Sequence, residues 1–201
     1  MTAVYTEAVV PPPPSRTEVL RYAKISEEIS TLSSLLDECL LEAERVLSPR
    51  VCYARFPLSV LSERVDIGFA VCESKSLARH LSGCAEVLVL AATVGAGLDR
   101  LCAKYSLLSP TKAYLLQAVG SERIEAVCDS FEEKMRIELE GQGKSLRTRF
   151  SPGYGDVPLS LQKDLFRALD CPRRIGLTLT EGLLMSPIKS VTALIGIETQ
   201  P

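Results

Sequence analysis

The residues best equipped for chemistry lie together in one ten-residue segment, Arg149-Phe150-Ser151-Pro152-Gly153-Tyr154-Gly155-Asp156-Val157-Pro158. Proline fixes a negative φ and glycine accepts a positive one, so Pro152-Gly153 predicts a type II turn. Such a turn leaves backbone N–H and C=O groups free. Beside them stand Arg149, whose guanidinium can pair with a carboxylate, and Tyr154, whose ring can cover a flat or cationic group. On spacing alone, a structural turn with an aromatic lid is the plainer reading.

Other chemistries are pruned by residue type. The single histidine, His80, rules out His-rich metal sites and most histidine-based triads, and its setting in Arg79-His80-Leu81 suits a helix end. Seven cysteines, an odd number with no C-x-x-C pair, stand in mostly apolar stretches and read as buried reduced thiols of a cytoplasmic protein. The turn Ala91-Ala92-Thr93-Val94-Gly95-Ala96-Gly97 resembles a phosphate-binding turn only superficially, lacking both the third glycine of a dinucleotide site and the Lys-Ser/Thr of a P-loop. Close packing of strand against helix is its default reading. The 23 basic and 25 acidic residues are interspersed, giving a net charge of −2 and no basic stripe for nucleic acid. The N-terminus lacks a positive n-region, and the longest uncharged apolar run, Val87 to Leu98, is too short to span a bilayer. Neither nucleic acid nor membrane is expected as a partner.

A chain of 201 residues, 46% hydrophobic, suits one domain with a sizeable core. Residues 1–15 contain the proline run Pro11 to Pro14 and read as an N-terminal arm, leaving residues 16–201 as the domain. Apolar positions Ile29, Leu32, Leu36, Cys39, Ala43 and Val46 recur at helical steps from Ser26 to the stop at Ser48-Pro49. Strands are expected at Val51 to Phe56, Val65 to Val71 and Val87 to Leu90, with a short helix capped by Ser74 between the last two. A helix follows from Leu98 to about Tyr105. Ser109-Pro110 opens the longest helix, to about Glu140, with Leu116, Ile124, Val127, Cys128, Phe131 and Met135 on one face. Glu132, Glu133 and Arg136 read as its solvated side. A further helix over 160–169 and β-like runs at Ile175 to Leu179 and Ser190 to Ile197 complete an α+β domain: a short, mainly antiparallel sheet with several helices, one of them long.

The Arg149-Phe150-Ser151-Pro152-Gly153-Tyr154 segment also fits the R-x-x-x-G-Y motif of the reactivation domain of cobalamin-dependent methionine synthase. Downstream, Thr180-Glu181-Gly182-Leu183-Leu184-Met185-Ser186-Pro187-Ile188-Lys189-Ser190-Val191 resembles that family's second motif, in which a T-E-S-like start and an M-x-P lead into a Ser-Val strand. Residues 147–197 carry the specific resemblance, and the Gly83 to Gly97 stretch and long helix are similar to short, stand-alone members. The resemblance implies the fold of that activation domain. It also implies an accessory that helps rescue an inactivated cobalamin methyltransferase. Cob(II)alamin on a partner methionine synthase lacking its own reactivation domain would be reduced by flavodoxin or another low-potential donor, then trapped by methyl transfer from S-adenosylmethionine.

Carried over residue by residue, Arg149 would pair with the carboxylate of the methyl donor, Tyr154 would line it, and the backbone of Phe150, Ser151, Pro152 and Gly153 would contact it. Asp156 and Lys189 lie near the motifs. No residue is implied as a catalytic acid, base or metal ligand, and no D-x-H-x-x-G motif for carrying the corrinoid is present. The alternative reading is a non-enzymatic module that docks on a corrinoid protein without binding S-adenosylmethionine.

Overall fold

The computed structural model describes residues 2–26 and 30–199. Met1, Gln200, Pro201 and the expected first helical turn at Glu27 to Ile29 lie outside the described residues. Along the chain run β1 (Tyr5–Ala8), α1 (Arg16–Tyr22), α2 (Ser30–Glu44), β2 (Arg50–Pro57), β3 (Ser59–Leu61), β4 (Arg64–Asp66), β5 (Val71–Glu73) and α3 (Lys75–His80). They are followed by β6 (Glu86–Thr93), α4 (Ala96–Leu108), α5 (Pro110–Glu140), β7 (Lys144–Leu146), α6 (Leu161–Leu169), α7 (Cys171–Ile175), β8 (Thr178–Leu179), β9 (Met185–Ser186) and β10 (Ser190–Thr199).

The main sheet has the order β1-β2-β6-β10-β7, and every pairing is antiparallel. Period-two alternation sends Leu88, Leu90, Ala193 and Ile195 to one face, where α1, α2, α4 and α5 cover them. Val87, Val89, Ala91 and Leu194 go to the other, beneath α3, α6 and α7. Both faces of β6 and β10 are therefore buried, which is why β6 reads as a continuous apolar run rather than an alternating one. The chain is thus a single α+β domain.

The long helix begins with Pro110 in its first turn and places Phe131, Met135 and Leu139, all fully buried, against the sheet. The Gly95–Gly97 turn is filled by protein: a Cβ on Gly97 would lie 2.1 Å from Val46 O and one on Gly95 2.3 Å from Ser48 Oγ. Close approach of the Val46–Ser48 segment is what requires glycine at both positions. All seven cysteines are buried and unpaired, and burial pushes the Cys128 thiol up to about 12.

Three of the segments named from the sequence take a different form. Residues 5–8 of the expected arm form β1, paired in register with β2 from Tyr5↔Tyr53 to Ala8↔Arg50. The proline run then crosses α5, where Arg123 Nη1 donates to Pro12 O at 2.6 Å. The Val65 to Val71 strand is two short strands, β4 and β5, paired with each other. The β-like run at Ile175 instead ends α7, a helical turn opened by Pro172 and closed by Gly176 in the left-handed region.

Candidate functional site

The candidate site forms where β7 leaves the sheet. Arg147 N donates to Gly196 O, and Phe150 and Leu194 exchange backbone hydrogen bonds, with Phe150 N donating at 2.9 Å and Leu194 N at 2.8 Å. Three steps of chain from Arg147 to Phe150 thus span two on β10. This is a bulge, and bulges re-aim side chains. Arg147 and Phe150 fall on the α3 side, where Arg147 donates to His80 O and the Phe150 ring lies 5.1 Å from that of His80. The extra residue sends Arg149 the other way, onto α5. His80 holds this corner from the end of α3, its Nε2 lying 2.8 Å from Thr148 O.

Beyond Phe150 the chain turns off the sheet. Tyr154 N donates to Ser151 O at 3.2 Å, and Gly153 has φ of +91°. This is the type II turn expected of Pro152-Gly153. Asp156 anchors the far side of the loop to the start of α3, accepting from Lys75 N at 2.8 Å, Ser76 N at 3.1 Å and Ser74 Oγ. The Ser74 hydroxyl and those backbone donors hold the Asp156 carboxyl well below the ordinary range.

The departure uncovers the edge of β10 and leaves a cleft of about 600 Å³, within the range of small-molecule sites. Arg149, Phe150, Ser151, Pro152 and Tyr154 line it, together with Glu125, Gln162, Met185, Ser190, Val191 and Thr192. Gly153 shapes the turn without lining the cleft. Lys189 lies elsewhere, with Nζ donating to Ser121 Oγ at 2.8 Å and its pKa lowered by burial.

Arg149 is the electrostatic centre. Its Nη2 donates to Glu125 Oε2 and Asp129 Oδ1, each at 2.9 Å, and its Nη1 donates to Glu132 Oε1. Burial opposes its charge, yet Cys128, Glu132 and Asp129 together raise its pKa above the ordinary arginine value. Burial raises that of Glu132 despite Arg149 beside it. The solvated-face reading therefore fails at Glu132, whose side chain is only 12% exposed. Positions 125, 129 and 132 share one helical face, and the bulge swings Arg149 onto it. Glu133 does remain in an exposed pair with Arg136.

Sequence reasoning missed these acids and also Gln162 and Thr192. The carboxylates carried a usable signal, their i, i+4, i+7 spacing. Thr192 carried a weaker one, as a polar residue within an apolar strand. Gln162 carried none, because only the packing of α6 beside the uncovered edge brings it to the cleft.

Residues 67–201 match the family model described as vitamin B12 dependent methionine synthase, activation domain. Among solved structures, the chain is similar to the crystal structure of the MetH reactivation domain bound to AdoHcy. The TM-score is 0.72 at 16% sequence identity, covering 96% of this chain and 78% of that one.

Proposed function

The chain belongs to the vitamin B12 dependent methionine synthase activation-domain family, and on that premise we propose that its cleft holds S-adenosylmethionine for reductive reactivation of a partner's corrinoid. The observation that carries this reading is the Arg149 cluster at the mouth of a cleft of ligand size. The methionine end of the donor carries a carboxylate, an ammonium and a sulfonium. A guanidinium bracketed by three carboxylates can serve both signs: Arg149 exchanges one protein carboxylate for that of the ligand, and the released Glu125 or Asp129 accepts the ammonium. The cluster has three acids against one base, a surplus that favours a cationic ligand.

The partner's corrinoid supplies the methyl-accepting centre once a low-potential donor such as flavodoxin has delivered one electron. This chain binds and orients the methyl donor: Tyr154, 69% exposed, is free to fold over it, and the 151–154 turn fixes one wall. The fitting partner is a cobalamin-dependent methionine synthase without its own reactivation domain, in the cytoplasm, with this chain as a separate subunit.

A second reading, a docking module that does not bind the methyl donor, draws on one observation: the chain's own acids already engage both Nη atoms of Arg149. Calorimetric titration with S-adenosylmethionine, alone and with corrinoid-loaded partner, separates the two. Binding in either state is expected. Association of the two proteins with no ligand binding in both would leave the docking module.

A further inference from the structure

The cleft lining includes two residues, only 5% and 2% exposed, whose buried polar atoms Gln162 Oε1 and Thr192 Oγ1 have no hydrogen-bond partner among the described residues. Leaving such groups unpaired costs stability, so a native fold that keeps two of them beside one cleft calls for an explanation. The strand geometry adds to it. Leu194 directs its backbone N–H and C=O outward to Phe150. By alternation along an antiparallel strand, Thr192 directs its own main-chain groups to the same edge, where no strand of the described residues covers them. The lining divides between the two faces of the sheet: the charged pair Arg149 and Glu125 meets on the α5 side, whereas Thr192, opposite Ala91, belongs to the face beneath α6, the helix that carries Gln162. The rest of its polar lining, including Gln162, Ser190 and Thr192, is neutral and rich in hydrogen-bonding capacity.

Resting on the methyl-donor reading above, we infer that Gln162 and Thr192 form the base-recognition side of the cleft and select a 6-aminopurine. The ligand's charges belong on the Arg149 side, so its neutral heterocycle falls to the neutral side. A carboxamide carries an acceptor and a donor side by side, matching the amino group and adjacent ring nitrogen of adenine. The Thr192 hydroxyl both donates and accepts, and supplements that edge. Gln162 and Thr192 are specificity determinants in this scheme and take no part in methyl transfer.

The test titrates S-adenosylhomocysteine, and its analogue with hydrogen replacing the 6-amino group, into the wild-type chain, Gln162→Leu and Thr192→Val. Melting temperatures of the ligand-free proteins are measured alongside. The wild type should prefer the amino compound by about tenfold or more. Gln162→Leu should lose affinity and most of that preference, and Thr192→Val should lose affinity by a smaller factor. Both ligand-free variants should melt at or above the wild-type temperature, because an unpartnered polar group has been replaced by an apolar one. Wild-type binding with affinity and preference unchanged in both variants would overturn this assignment alone. So would a fall of several degrees in both melting temperatures, which would show the two groups serving the fold. No binding to the wild type, alone or with the corrinoid-loaded partner, would overturn the methyl-donor reading and this inference with it.

Discussion

Two of the grooves along the long helix α5 each have at their edge an arginine held by acids of that helix. One, about 520 Å³, runs between the Val9 to Pro14 segment, α2 and α5, and is lined by Leu40, Val119 and Arg123. The other is the Arg149 cleft. In the first, Arg123 Nη2 donates to Glu122 Oε1 at 2.6 Å, Arg123 Nη1 to Pro12 O, and Ser15 N to Glu122 Oε1 at 3.0 Å. One acid meets one base, both side chains are under 10% exposed, and main-chain groups from the N-terminal segment complete the set. In the second, three acids surround one base and nearby polar atoms find no partner among the described residues. A satisfied buried cluster clamps a chain segment. An unbalanced one beside open volume retains capacity to bind.

The largest expected effect lies in the closed cluster. Arg123→Met strands the Glu122 carboxylate in the interior and should cost about 3–5 kcal/mol in chemical denaturation, with affinity for S-adenosylmethionine in the surviving folded fraction unchanged. A loss of affinity matching that at Arg149 would erase the contrast between the grooves. Arg149→Ala should cost less stability, about 2 kcal/mol, because Glu125 and Asp129 can turn to solvent and only Glu132, 12% exposed, is left short of its partner. It should nevertheless abolish detectable ligand binding by calorimetry. Next, Gly153→Ala places a side chain at φ +91° with Leu159 Cδ1 3.2 Å from the new Cβ. A loss of about 1–2 kcal/mol in thermal unfolding is expected, along with weaker ligand binding as the turn shifts.

The smallest effect concerns pH. The Asp156 carboxyl is depressed in the folded state, so its contribution is present above the unfolded value, about 3.9, and is lost as pH falls through the lower folded value. The melting-temperature gap between wild type and Asp156→Asn should be flat above about pH 5 and shrink below about pH 4. A gap that widens on acidification would contradict the assignment of Asp156 as the anchor of the loop to α3.

The same contrast explains what the sequence could and could not reveal. Local signals located the elements that build the domain. Ser109-Pro110 and the Leu116 to Met135 face marked α5, the run at Val87 marked β6, and Ser74 does accept from Leu77 N as the cap of α3. The Pro152-Gly153 turn was equally legible, because its conformation is set by those two residues. α1 went unseen although Ser15 caps it through Glu18 N, since seven residues give too short a period to register. β1 and β7 were missed because short edge strands are specified by their partners more than by their own composition. The same applies to the site: the motif residues were readable, but the Glu125-Asp129-Glu132 bracket exists only through the Arg147–Phe150 bulge. Gln162 and Thr192 meet the cleft only because the chain departs from β10.

Hydrogen-exchange mapping with and without saturating S-adenosylmethionine, with corrinoid-loaded partner added if the chain alone does not bind, tests the central claim most directly. Partner alone serves as the reference in that case. Ligand-dependent protection should concentrate in residues 149–157 and at the β10 edge around Ser190 to Thr192, with the Val9 to Pro14 groove unchanged. Protection of the proline-lined groove, or none at the turn and β10 edge in a ligand-bound sample, would contradict the account.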